Sequence, residues 1–201
     1  VTGVQTCALP ISRTFKSASP VTAAVAAAIN THAKHLWRSN ERTQDIQSLD
    51  GTPGYVLAPG AHDALTARLV QIAGFDAVYL TGGGYSRANG YPGMGLLTMT
   101  EVVQWISRVV DTSEIPLIAD MEAGYGNAVN VVRSVREYEK TGVAAFHLED
   151  QVSPKKCAHY EGKLLVERTE MTGKIKAAVD KHRDANMCII LNSAVEDRSM
   201  S

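Results

Sequence analysis

Residues 115–126 read IPLIADMEAGYG: an apolar run of strand length that ends in an aspartate, a second acid two positions on, and two glycines. A short buried strand followed at once by a tight glycine turn is the opening of a β/α unit, and an amphipathic helix should come next. Residues 128–141 supply it, with Val131, Val135 and Tyr138 on one face and Gly142 after the last turn.

The same unit recurs on both sides. Strands are expected at 55–58, 77–81, 115–120, 143–149 and 187–191. Helices are expected at 63–73, where Leu65, Leu69 and Ile72 have helical spacing, at 100–110 behind an N-cap at Thr100, at 128–141 and at 167–183. Two connections are longer than a link requires: the glycine-rich loop 82–95 and the polar segment 150–165, the leading functional loop. Strands alternating with helices imply a parallel sheet, either open and doubly wound or closed as a barrel, and the rhythm does not choose between them. Both architectures bind ligands beyond the carboxyl ends of the strands. Thr81, Asp120 and Glu149 all fall on that edge.

With 201 residues, 45% hydrophobic and 20% charged, the chain has material for one globular core. A formal net charge of −1 gives no broad attraction for nucleic acid or an anionic membrane, so an anionic substrate must be held by local groups. No apolar run reaches the roughly 18–20 residues that cross a bilayer. Three unevenly spaced cysteines, Cys7, Cys157 and Cys188, form no disulfide framework and suit a reducing cytoplasm. Residues 1–12 stand apart: the first eleven, VTGVQTCALPI, are similar to a translated sequencing-adapter oligonucleotide and are expected to contribute nothing to the fold. Residues 13–54 read as a helical and loop extension, with helices at 20–33 and 41–49, and residues 55–201 as the domain that carries the chemistry.

Asp120 and Glu122, before Gly124 and Gly126, with Glu149 one strand over, make an all-oxygen donor set. That suits Mg²⁺, a hard ion usually held by one or two carboxylates, water and substrate oxygens. Isolated carboxylates more often cap helices or pair with lysines; three at one mouth favour a metal. Thr81 with Gly82, Gly83 and Gly84 could turn backbone N–H groups toward an anion. On the long loop, Lys155 and Lys156 flank Cys157, and two cations beside a thiol favour its thiolate, fitting it to act as an acid or a nucleophile. Cys188, inside an apolar strand, reads as packing. His32, His35 and His182 carry no partner pattern.

Six segments in order, APGAHDALTARL (58–69), GFDAVYLTGGG (74–84), GLLTMTEV (95–102), IADMEAGYGNA (118–128), HLEDQ (147–151) and PKKCAHYEGK (154–163), resemble the isocitrate lyase and phosphoenolpyruvate mutase superfamily. The resemblance covers about residues 55–191. It implies a (β/α)₈ barrel, here cut after about five β/α units, with Mg²⁺ or Mn²⁺ held by Asp120, Glu122 and Glu149. It also implies substrate contacts from Tyr79, Thr81, Gly82, Gly83, Asp120, Gly124, His159 and Asn192. Cys157 would be the acid and base of a carbon–carbon lyase, with Lys155 and His159 beside it on a closing loop. The activity implied is cleavage of a 2-methylisocitrate-like 2-hydroxy acid to pyruvate and succinate, with 2-methylmalate or dimethylmalate as related substrates. A mutase or oxaloacetate-processing enzyme, and a non-catalytic remnant, are the alternatives. The resemblance further implies a homo-oligomer, a tetramer, as the full-length protein, with a small carboxylate as its ligand.

The chain also departs from that pattern. Glu122 stands where the family has aspartate, Gly93 where it has an acid, Ala158 where it has glycine and Asn192 where it has a substrate-binding arginine, and residues 192–201 look unlike it. A barrel needs about 250 residues. An unclosed one leaves strand edges bare, so the isolated 201-residue chain is expected to aggregate and lack turnover.

Overall fold

The computed structural model describes Ile46 and residues 56–157 and 159–194. Five strands, β1 (Gly60–Ala61), β2 (Val78–Leu80), β3 (Leu117–Asp120), β4 (Ala145–Glu149) and β5 (Cys188–Asn192), form one parallel sheet whose spatial order is the order of the chain. A doubly wound sheet reverses its strand order partway across. This one never does, so the winding is that of a barrel: five consecutive units of the (β/α)₈ architecture.

The helices are α1 (Ala64–Ile72), α2 (Gly82–Ala88), α3 (Met99–Val110), α4 (Ala128–Thr141) and α5 (Arg168–Lys181). Alternation along each strand divides the sheet into two faces. Val78, Leu80, Leu117, Ala119, Phe146 and Leu148 point outward and share one core with Trp105, Ile106, Val131, Val135 and Tyr138 from the helices. The other face carries Ile118, Ala145, Cys188 and Ile190, and Ile46 packs on it beside Ala144. Cys188 is therefore a packing residue, as its apolar strand implies. Polar groups higher on that inner face, toward the carboxyl ends of the strands, belong to the candidate site.

Four local expectations are corrected. The first strand lies at Gly60–Ala61, beyond 55–58: β1 enters the sheet through carbonyls, with Pro59 O accepting from Tyr79 N and Ala61 O from Thr81 N. The apolar stripe of α1 faces outward, with Leu65, Leu69 and Ile72 all exposed, while the smaller Ala67 and Val70 meet the sheet and let the helix approach it. Helical spacing reveals that an arc is apolar, not which of two arcs is inside. The run after β2 is no open loop, because Thr81 accepts from Gly84 N and starts α2. The cap of α3 is Thr98, in a reciprocal capping box with Glu101, and not Thr100. Of the helix expected at 41–49 only Ile46 is described, and it is helical; the helix at 20–33, residues 1–12 and the 54/55 boundary lie outside the described residues.

Candidate active site

Side chains two apart on a strand share a face, and register sets their height. In the sheet Asp120 is level with His147, and Glu149 with Asn192. The carboxyl end of β3 therefore brings Asp120 beside the last inward positions of β4. Glu122 joins them through a turn in which its own N–H donates to Asp120 Oδ1 at 2.8 Å and its carbonyl accepts from Glu149 N at 2.9 Å. That turn is strained: Glu122 and Tyr125 take positive φ values of 55° and 60°. It is fastened from outside by Tyr138 OH donating to Asp120 O, Ser134 Oγ donating to Gly124 O, and the buried Lys174 Nζ donating to Ala123 O.

The three acids converge as expected, and what they converge on is Lys155. Its Nζ stands 2.9 Å from Asp120 Oδ2, 3.0 Å from Glu149 Oε1 and 3.9 Å from Glu122 Oε1, with the cluster almost wholly buried. One ammonium against three carboxylates leaves the cluster two charges from neutrality when all are ionised. The acids answer differently. Burial opposes ionisation of Asp120, but the Lys155 ammonium and the Glu122 N–H outweigh it and hold this carboxyl below its usual range. Burial, reinforced by the Asp120 charge, pushes Glu122 up to about 8. Burial also raises Glu149, offset in part by Lys155. Lys155 is driven well above the usual lysine range by its three carboxylates, against the effect of burial.

Glu122 is the group left over. Its Oε2 is buried without a hydrogen-bond partner, and Lys155 is too far from Oε1 to bond it. A buried, orphaned carboxylate oxygen in an all-oxygen, negatively unbalanced cluster fits a hard divalent cation held partly through water. As placed, no three His, Cys, Asp or Glu side chains among the described residues form a ready metal cage. Lys155 stands between the acids, and the same three side chains are the ones that would hold such a cation, directly or through water.

The glycines are explained by contact. A Cβ on Gly82 would lie 2.7 Å from Asp120 Oδ2 and 3.0 Å from Glu122 Oε1, so only glycine lets the first turn of α2 lie against the acids. The Thr81 hydroxyl is spent on the cap. Gly124 has a φ of +84°, and a Cβ there would strike Val131 Cγ2 at 2.5 Å. Gly124→Ala is expected to cost about 2–4 kcal/mol from strain plus overpacking. Urea unfolding checks this; a loss below about 0.5 kcal/mol would mean that the loop shifts freely.

The thiol has a different neighbour from the one the local sequence suggests. Lys155 is buried among the acids, and Lys156 Nζ donates to Glu161 O and Gly162 O. The cation on Cys157 is Arg87, whose Nη2 lies 3.5 Å from Sγ while Nη1 donates to Gly83 O at 2.9 Å. Cys157 N donates to Gly93 O at 2.8 Å, and a Cβ on Gly93 would crowd Cys157 Cβ at 3.1 Å. The loop thus seats its cysteine against α2, where a Cβ on Gly83 would lie 3.4 Å from Sγ.

Two residues had been passed over. Gln151 is buried and acts as a clasp: Nε2 donates to Glu149 Oε2 and Lys156 O, and Oε1 accepts from Lys156 N. His147 lies inward beneath Glu149, its ring 5.2 Å from that of Tyr79, and burial depresses its pKa. Counting back two from Glu149 in HLED would have found His147; Gln151 closes the HLEDQ segment, but its residue type alone points to no role. The Tyr79 hydroxyl is raised by burial and then by the Asp120 charge. His159 and Asn192 are exposed, the latter at the carboxyl end of β5 and the former on the outer part of the loop.

Comparisons with known proteins bear on the family and the fold. The family described as phosphoenolpyruvate phosphomutase matches residues 46–197. A 2,3-dimethylmalate lyase of Eubacterium barkeri is 53% identical over 146 residues, which take in 72% of this chain and 50% of that enzyme. A 2-methylisocitrate lyase of Aeropyrum pernix is 42% identical over 130 residues, covering 65% of this chain and 42% of that enzyme. The solved structure of a phosphonopyruvate hydrolase complexed with oxalate and Mg²⁺ superimposes with a TM-score of 0.69 at 32% identity, over 76% of this chain and 52% of that one. The chain spans half or less of the length of these curated relatives. With a family match running from residue 46 to residue 197 and a barrel winding to accompany it, the chain belongs to the isocitrate lyase and phosphoenolpyruvate mutase superfamily.

Proposed function

We propose that the protein carrying this chain is a divalent-metal-dependent lyase that cleaves a carbon–carbon bond of a 2-hydroxy di- or tricarboxylate. The products are pyruvate, or a related 2-oxo acid, and a second carboxylate. One observation carries the reading: three acids from neighbouring strand ends surround a single cationic centre, and the loop that fills that centre also bears a thiol. The relatives named above support two substrates of one chemical class. 2-Methylisocitrate would give pyruvate and succinate, and 2,3-dimethylmalate would give pyruvate and propionate.

Asp120, Glu122 and Glu149 would hold Mg²⁺ or Mn²⁺, directly or through water, and that ion supplies stabilisation for negative charge on the substrate 2-oxygen. The protein's own groups do the rest. Gly82 and Gly83 let the first turn of α2, capped by Thr81, lie against the acids and the thiol, and their backbone N–H groups would hold a substrate carboxylate there. Tyr79 and His147 floor the site. Gly124 sets the turn that aims Glu122, and Asn192 and His159 stand at the rim. Cys157 delivers a proton to the carbon that departs.

The test is pyruvate formation from each substrate with Mg²⁺ or Mn²⁺, then with excess EDTA. Cleavage of at least one, lost on chelation and restored by metal, is expected; no pyruvate from either under saturating metal would remove the assignment.

A further inference from the structure

Among the described residues, the lysines nearest the acids and the thiol are already engaged. Lys155 is neutralised by carboxylates, and Lys156 is turned to the backbone carbonyls of its own loop. Arg87 differs. Its guanidinium is oriented by Gly83 O and touches Cys157 Sγ, and among the described residues it has no carboxylate partner. It is exposed at the end of α2 and sits with the thiol. An oriented, always-charged fork without an acid suits recognition of a carboxylate.

We propose that Arg87 is a specificity-determining residue that binds the carboxylate of the departing half of the substrate, the half whose carbon takes its proton from Cys157. The identity of that anion rests on the lyase reading; the position of the guanidinium does not. When the 2-hydroxyl loses its proton to solvent and the neighbouring carbon–carbon bond breaks, the hydroxyl carbon becomes the 2-oxo carbon, and the electron pair stays on the departing carbon, which is next to a carboxylate, and spreads into it. The proton then passes from Sγ to that carbon, leaving a thiolate, so the carboxylate lies one bond from the atom facing the sulfur. A guanidinium 3.5 Å from Sγ is within reach of it. Arg87 would then select dicarboxylates over analogues lacking that charge, and would favour the charge as it spreads.

Alkylation of Cys157 tests this without any lyase assay. In iodoacetate the carbon attacked by sulfur is also adjacent to a carboxylate, and iodoacetamide is its neutral counterpart. Each forms a carbon–sulfur bond, releases iodide and loses the thiol proton to solvent. The measured quantity is the ratio of the two rates at Cys157 in the protein carrying this chain, resolved from Cys188 and every other cysteine by peptide mass spectrometry. Arg87→Gln should lower that ratio about tenfold, while Arg87→Lys keeps it within about twofold, because the cation is retained. The iodoacetamide rate of each variant reports any general loosening of the site. Succinate should protect Cys157 from iodoacetamide in the unmodified protein, and about tenfold more should be needed in Arg87→Gln. A ratio and a protection curve both unchanged in Arg87→Gln overturn the proposal, and do so whether or not the protein cleaves a 2-hydroxy acid. A lowered ratio in a protein that cleaves none upholds carboxylate recognition by Arg87 and overturns only the lyase reading.

Discussion

Lys155→Met should destabilise the metal-free protein by about 3–5 kcal/mol near pH 8, with the loss shrinking as the pH is lowered toward 5. The size follows from what is left behind. The ammonium lies within 3.0 Å of Asp120 and Glu149, and the side chains involved are at most 9% exposed. Methionine fills a similar volume and removes the charge, stranding two or three carboxylates in a poorly solvated pocket. Part of the loss is recoverable, because a carboxylate that cannot be paired can take up a proton.

The pH dependence has a definite sign. Glu122 is pushed up to about 8 in the folded protein against an ordinary value of 4.5. Below about pH 4.5 both states carry its proton and stability does not change. Between about 4.5 and 8 the folded state holds a proton that the unfolded state has released, so stability falls as pH rises through that window. Loss of Lys155 raises Glu122 and Glu149 further, extending the window upward and steepening the fall. Urea unfolding of both proteins from pH 5 to 9 in EDTA would measure this. A deficit under about 1 kcal/mol, or one independent of pH, would mean that the ammonium does not balance the acids.

That prediction draws on distances no reading of the chain could supply, whereas much of the frame around it was legible. IPLIADMEAGYG identifies β3, its turn and α4, because a buried strand and a capped helix each impose a period that local sequence must obey. The same logic put Asp120 and Glu149 at one edge. Barrel rather than open winding was not readable from the strand–helix rhythm, since strand order is decided by long-range pairing; only the ordered family segments pointed to it. The centre of the cluster was not readable either. Lys155 and Lys156 look equivalent beside Cys157, yet one is drawn into the acids and the other to the loop's own carbonyls, while the cation on the thiol comes from 70 residues away. Charge adjacency in sequence sets composition, and the loop's path decides which charges meet. Gly82 shows the same limit: its sequence suggests an anion-binding backbone, but not that a Cβ there would strike Asp120.

Cys157→Ser should leave folding and metal affinity near those of the unmodified protein and reduce carbon–carbon cleavage about 10²–10⁴-fold, the range for loss of a positioned proton donor. Serine keeps the shape, the main-chain bond to Gly93 O and an atom able to face Arg87, so the loop has no reason to move. A hydroxyl is a far weaker acid than a thiol, and protonation of the carbon is the step that needs the acid. The defect should therefore fall on kcat with KM little changed, because carboxylate binding by neighbouring groups persists. Cys157→Ala should match the serine variant, since neither supplies a usable proton. Initial rates of pyruvate release, with Mg²⁺ affinity measured by calorimetry, check all three parts. Retained turnover in Cys157→Ser would show that the thiol is not the donor. Lost metal affinity in that variant would instead mean that the loop, through Lys155 and Gln151, holds the acid cluster in shape.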